Sequence, residues 1–272
     1  MSMRKLINVF IALLISCNCI SNTFPYTFRY ATELPIIGYS IANLGIGYGL
    51  HQNLQKLTSN DIEQLSRNDV PKFDRFAIDK YSTGTANTSV YFSVGSILTS
   101  IGSVGLISLL NSNTPKTFIK QSTLFAGLYI ETFITTYSTL YLAKNAVHRI
   151  RPFVYNENIG LNEKQEIDAQ MSFFSRHTSI TAASTFFAAS VISQYTDLKW
   201  VKCITWTSAA ILPAMAGVMR IESGRHFPTD VIAGYAIGTL CGIGIPWLHK
   251  AKDNNTITGY ISPQNAEIII RL

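Results

Sequence analysis

The stretch Arg220-Ile-Glu-Ser-Gly-Arg-His226-Phe-Pro-Thr-Asp230 lies between two strongly apolar segments and holds the residue types best suited to chemistry in this 272-residue chain. If the chain turns helical there, His226 and Asp230 stand one turn apart. The carboxylate then accepts one imidazole N–H and leaves the other ring nitrogen free as a nucleophile or base. Arg220 adds a permanent, fork-shaped charge that suits an anion facing that imidazole. Taken alone, the same residues also read as a polar loop between two membrane helices, its charges in water.

The remaining polar residues of the apolar half break the tie. Lys144, Arg149 and Arg151 follow the segment that ends near Ala143, Arg176 and His177 precede the one that starts at Ser179, Arg220 follows Met219, and Asp230 opens the last. Successive membrane helices alternate in direction, so these clusters converge on one membrane face. Ser175 to Ser179 would place unpaired backbone N–H groups at a helix start, which favours an anion. Lys144, Arg151 and Arg220 surround that start with positive charge. His177, His226 and Asp230 are also metal-ligand types, but three cations would repel a divalent ion and would all stabilise a phosphate. The sign of the charge selects the anion, and no metal or cofactor is called for.

The elements that must position these groups read as a membrane bundle. With 47% hydrophobic and 14% charged residues and a mean hydropathy of +0.19, the chain is too apolar for an ordinary soluble domain. Apolar segments at 90–110, 124–143, 179–195, 201–219 and 231–248 are each long enough, or nearly so, to cross a bilayer. Gly234, Gly238 and Gly242 recur every four residues, and Ala and Ser crowd 182–190, so helix backbones can approach closely. Glu131, in mid-segment, is expected to face the bundle interior and is given no role.

The expected domains are a signal peptide or N-terminal membrane anchor over 1–22, an apolar helix plus polar connector over 33–89, the membrane domain over 90–250, and a polar tail over 251–272 that permits a hairpin. Leu14-Ile15-Ser16-Cys17 also resembles a lipoprotein cleavage site. The connector reads as solvated and without chemistry, with a short helix from Ser59 to Leu65 capped by Ser59 or Asn60. Cys17, Cys19, Cys203 and Cys241 have no metal-type spacing and imply no disulfide framework. The net charge of +6, without a basic run interleaved with aromatics, points to anionic lipid or phosphate rather than nucleic acid.

Lys144-Asn-Ala-Val-His-Arg-Ile-Arg151-Pro152, Ser175-Arg176-His177, and Arg220 with His226 and Asp230 together resemble, in order and spacing, the three motifs of the type 2 phosphatidic acid phosphatases. The resemblance implies an all-α, polytopic transmembrane bundle of about five or six membrane helices around a haloperoxidase-like catalytic core. It implies that His226 attacks phosphorus to give a phosphohistidine, that Asp230 orients it, and that His177 protonates the leaving alcohol and later activates water. Lys144, Arg151, Ser175 and Arg220 would bind the phosphate oxygens, with the amide at 176. Phe174 and Arg176 stand where the family usually has proline and glycine, Met219 replaces a common serine, and the Arg176 guanidinium is available for a second phosphate or a headgroup. Proline 152 also reads as a stop for the preceding helix.

The expected activity is metal-independent hydrolysis of a phosphomonoester or terminal pyrophosphate of a membrane lipid. Candidates are lipid A, undecaprenyl pyrophosphate, phosphatidylglycerol phosphate and phosphatidic acid, with no obligate protein partner. The expected location is a bacterial inner membrane. If 33–50 does not span and the leader stays as a helix, the site faces the periplasm, the preferred arrangement; if it spans, parity puts the site inside. The rivals are a soluble-type acid phosphatase or vanadate-dependent haloperoxidase, against which the long apolar segments count, and a non-catalytic binder of anionic headgroups.

Overall fold

The computed structural model describes residues 25–251 and the backbone of 258–262 and 265–269. The leader expected over 1–22, and the lipidation alternative at Cys17, fall outside the described residues. Within them the helices are α1 (Tyr30–Gln52), α2 (Ser59–Glu63), α3 (Thr83–Leu110), α4 (Pro115–Val147), α5 (Leu161–Lys164), α6 (Arg176–Tyr195), α7 (Lys199–Glu222) and α8 (Pro228–Leu248). Strands β1 (Thr258–Ser262) and β2 (Asn265–Ile269) pair antiparallel, with Ser262 opposite Asn265.

Local sequence sets the helix ends. Thr114 accepts the Thr117 N–H and Pro115 opens α4, while Ser82 accepts the Thr85 N–H for α3. The short connector helix ends at Glu63 rather than Leu65, and its cap is Thr58 rather than Ser59 or Asn60. Thr58 and Asp61 exchange side-chain and backbone hydrogen bonds there, a reciprocal pair that satisfies two otherwise orphaned N–H groups. Proline 152 is not what stops α4. The helix ends at Val147 because His148 turns left-handed at φ 48°, and Pro152 instead opens a 3₁₀ turn over Pro152–Tyr155.

Among the described residues α3, α7 and α8 are long and apolar enough to cross a membrane. The segment that became α6 differs for a physical reason. Its Ser, Thr and Ala residues are buried along nearly its whole length, and it packs on α8, α7, α3 and α4. A helix enclosed by helices needs small, close-fitting side chains more than lipid-like ones. The glycine stripe of α8 faces it. A Cβ would lie 2.7 Å from the Ser175 carbonyl oxygen at Gly234, 2.1 Å from that of Ser179 at Gly238, and 2.5 Å from that of Ala183 at Gly242. This contact holds the first turns of α6 and α8 side by side, and the Ser175 N–H donates to the Asp230 carbonyl at 3.0 Å.

α1 lies along α4 and runs in the same direction, with Tyr39 bonded to Thr139 and His51 to Asn145. The ends of α1, α4 and α7 and the starts of α3, α6 and α8 therefore share one face. That face carries the polar residues singled out in the sequence.

Candidate active site

Lys144, Arg151, Arg176, His177, Arg220 and His226 line a single cavity of about 200 Å³. They arrive from the end of α4 and the segment after it, the start of α6, the end of α7 and the loop before α8. Lys144 is in the last turn of α4 and Nζ donates to the Met171 carbonyl. Arg151 is delivered by an irregular segment whose backbone is pinned to a neighbour, with its own N–H bonded to the Ala169 carbonyl at 2.8 Å and the Ser172 N–H to that of Arg149 at 2.9 Å. Arg220 closes α7 and donates to Ser89 Oγ at 3.1 Å, leaving Nε buried without a partner. An unsatisfied guanidinium nitrogen in a closed site is costly on its own and favours an anion beside it.

His226 is 1% exposed. Its Nε2 lies 3.5 Å from Arg151 Nη1, and since a guanidinium only donates, that nitrogen presents its lone pair. Burial, then the charges of Arg151, Lys144 and Arg220, hold the imidazole pKa well below the ordinary histidine range. The ring is therefore neutral at neutral pH and its Nε2 is nucleophilic.

The expected hydrogen bond between His226 and Asp230 is corrected. Nδ1 and Oδ2 stand 3.7 Å apart, because the chain turns helical only at Pro228 and His226 lies outside the helix. Asp230 already has three donors: Arg149 Nη1 at 2.6 Å, Ser172 Oγ at 2.6 Å and the Phe227 N–H at 2.9 Å. The carboxylate thus caps α8 while facing the imidazole, so it orients His226 mainly through the field and the loop it fixes.

Ser175 is fully buried at the N-cap of α6 and receives Thr178 Oγ1 at 2.9 Å. Arg176 begins α6 with its side chain exposed, so the residue that replaces the usual glycine directs its bulk outward into the cavity mouth. The helix's first backbone bond is from Ser179 to the Ser175 carbonyl, and the amides of Arg176, His177 and Thr178 have no intrahelical acceptor.

Several residues that position the site carry no recognisable sequence signal. The connector is not simply solvated: Asp74 is fully buried and accepts from Arg149 at 2.7 Å and from the Thr229 hydroxyl and N–H at 2.6 and 3.1 Å. Arg149 therefore bridges Asp74 and Asp230. Asp168 holds Arg151 through Oδ1 at 2.8 Å and its carbonyl at 2.8 Å. His51 from α1 reaches the cavity wall and bonds Asn145 at 2.9 Å. Asp74, Asp168 and His51 lie outside the motifs, whereas Arg149, Asn145 and Thr229 lie inside them.

Residues 124–254 match the family model described as the PAP2 superfamily. A solved structure described as the first transmembrane PAP2 type phosphatidylglycerolphosphate phosphatase from Bacillus subtilis is similar over 89% of this chain and 92% of that chain, with 17% sequence identity and a TM-score of 0.44. Comparison with curated proteins finds no match. The matched residues, 124–254, hold every catalytic and phosphate-binding residue singled out in the sequence, and the match supports a phosphoric ester hydrolase of the PAP2 type.

Proposed function

We infer that this phosphatase hydrolyses a phosphomonoester or terminal pyrophosphate of a membrane lipid through a phosphohistidine on His226. The observation that carries the reading is the neutral imidazole whose Nε2 lone pair meets four cationic side chains and a second imidazole around one cavity. The cations Lys144, Arg151, Arg176 and Arg220 hold the phosphate oxygens and supply the positive charge that the transferred group needs, so the phosphorus requires no metal.

In the first step Nε2 of His226 forms a bond to phosphorus as the bond to the leaving oxygen breaks. His177 gives that oxygen a proton, a role favoured by the negative charge of the bound substrate. In the second step His177 takes a proton from water, whose oxygen bonds to phosphorus as the P–N bond breaks and inorganic phosphate leaves. Asp230 stabilises the positive imidazole ring of the intermediate.

Lipid is the favoured substrate class because Tyr137, Leu140 and Tyr141 form the apolar side of the cavity and the surrounding helices expose Leu98, Ile211, Leu240 and Trp247. Lipid A, undecaprenyl pyrophosphate, phosphatidylglycerol phosphate and phosphatidic acid all present a phosphate at such a depth. A bacterial inner membrane with the site toward the periplasm is the location that suits these envelope lipids. Impermeant thiol labelling of a cysteine introduced in the connector tests that side.

The deciding experiment measures phosphate release by the purified protein over a lipid panel and traps the phosphoenzyme by rapid acid-free quench with labelled substrate. An acid-labile, base-stable label on the protein that His226→Ala abolishes is expected. Turnover by His226→Ala near the parent level would overturn the reading.

A further inference from the structure

The far end of the bundle holds a second set of convergent polar groups. Glu33 from the first turn of α1, Glu131 from the middle of α4 and His249 just past α8 are 3%, 1% and 0% exposed. His249 Nε2 lies 2.7 Å from Glu33 Oε1 and 3.2 Å from Glu131 Oε2, and one ligand atom from each residue falls within 4.8 Å of the others. Along α8, nineteen residues at 1.5 Å each separate His249 from Asp230, roughly 28 Å. The cluster is therefore separate from the phosphate cavity.

We propose that Glu33, Glu131 and His249 bind a divalent transition-metal ion of the zinc type that ties α1, α4 and α8 together. Three observations converge on it. First, His249 Nδ1 lies 2.8 Å from the Ile245 carbonyl. A carbonyl only accepts, so Nδ1 carries the proton and a neutral ring turns its Nε2 lone pair toward the two carboxylates, which is how second-shell carbonyls commonly fix a ligating histidine. Second, among the described residues Glu33 Oε2 and Glu131 Oε1 are buried without a hydrogen-bond partner and Glu131 Oε2 has only the His249 ring at 3.2 Å, an arrangement that a pair of ionised carboxylates does not sustain without a cation. Third, the Arg29 guanidinium, just before α1, gives its Nη2 to the carbonyls of Leu248 and Lys250.

A single divalent ion offsets both carboxylate charges, takes the imidazole lone pair and leaves the unpartnered oxygens free to complete its coordination. The mixed nitrogen and carboxylate set suits zinc-like ions at bonds of about 2.0–2.2 Å better than magnesium or calcium, which favour all-oxygen shells. The ligands are also held in advance. The His249 carbonyl accepts the Thr27 N–H at 2.8 Å, and the Ala251 N–H donates to the Pro25 carbonyl at 2.9 Å. The chain segments on either side of the cluster are thereby stitched to each other, and the ion would complete a clasp at that face.

The inference does not rest on the phosphatase reading, and its readouts are metal content and spectra. The full-length protein in detergent is stripped with chelator, loaded with zinc or cobalt and desalted. About one ion per chain is expected to remain, cobalt is expected to show d–d bands of a nitrogen- and oxygen-ligated site, and the melting temperature is expected to rise on reloading. Glu131→Gln and Glu33→Gln should each lose most of the retained metal and the cobalt bands. Parent protein that keeps no metal and shows no bands overturns the proposal and leaves a proton-sharing cluster. Full retention by both variants overturns it too, because the metal would then lie elsewhere. The cobalt spectrum is read on the parent protein, so the test stands if either variant fails to fold.

Discussion

The two ends of this bundle are built from opposite halves of the same chemistry. At one, Lys144, Arg151, Arg176 and Arg220 surround neutral imidazoles, and the carboxylates there are tied to guanidiniums, Asp168 to Arg151 and Asp230 to Arg149. At the other, two carboxylates and one imidazole meet, with no lysine or arginine bonded to the carboxylates among the described residues. Each end is incomplete in its own sign. The first asks for an anion and the second for a cation, and the α6–α8 glycine contact that assembles the first runs along α8 from Gly234 to Gly242, short of the second. Unpaired buried charge identifies a ligand by what is missing.

The largest expected effect comes from removing the nucleophile. His226→Ala should lose nearly all turnover and all phosphoenzyme label while keeping the cobalt bands of the far end; a change at both ends would break the separation drawn here. His177→Ala should lower turnover roughly 10²- to 10⁴-fold as a lost general acid, and with a good leaving group the phosphoenzyme should persist in a quench time course.

Arg149→Ala tests whether Asp74 and Asp230 depend on one guanidinium. Leaving two buried carboxylates without their counter-ion should cost about 3–5 kcal/mol in chemical denaturation and lower kcat, with Arg149→Lys restoring part of each; an unchanged midpoint would show that the bridge is dispensable. Gly238→Val should cost about 1–3 kcal/mol by overpacking, because its Cβ meets the Ser179 carbonyl. It should also lower activity more than the stability loss accounts for, since the same contact seats Ser175 against Asp230.

The smallest effect is in pH dependence. The His226 pKa is depressed by burial and by the cations beside it, so the neutral, nucleophilic form persists as pH falls through the ordinary histidine value of about 6.5 and is lost only below it. Histidine-selective NMR titration of the unliganded protein should place its midpoint below that value, and Arg151→Gln should move it up. A midpoint at or above about 6.5 in the parent would contradict the cationic environment.

Much of the active end was legible in the sequence. Motif spacing put Lys144, Arg151, His177, Arg220 and His226 at helix ends, alternation of helix direction gathered those ends, and the glycine repeat marked the closest helix contact. The misreadings were of two kinds. Some were local competitions, such as the Asp230 carboxylate serving the Phe227 N–H as well as facing His226, or His148 rather than Pro152 ending α4. Others were distant pairings: Asp74 looked like one charge among many in a polar connector.

What the sequence determined by itself was the set of residue types, their order at the ends of apolar segments, and the sign of the ligand they call for. Periodicity and alternation of direction are local properties, and they suffice for that. Only the tertiary structure decided that Asp74 and Arg149, 75 residues apart, share a buried bridge, that the Ser175 N–H meets the Asp230 carbonyl, and that Glu33 and His249, 216 residues apart, close on Glu131. Such contacts follow from how helices pack against one another, and no spacing along the chain encodes them.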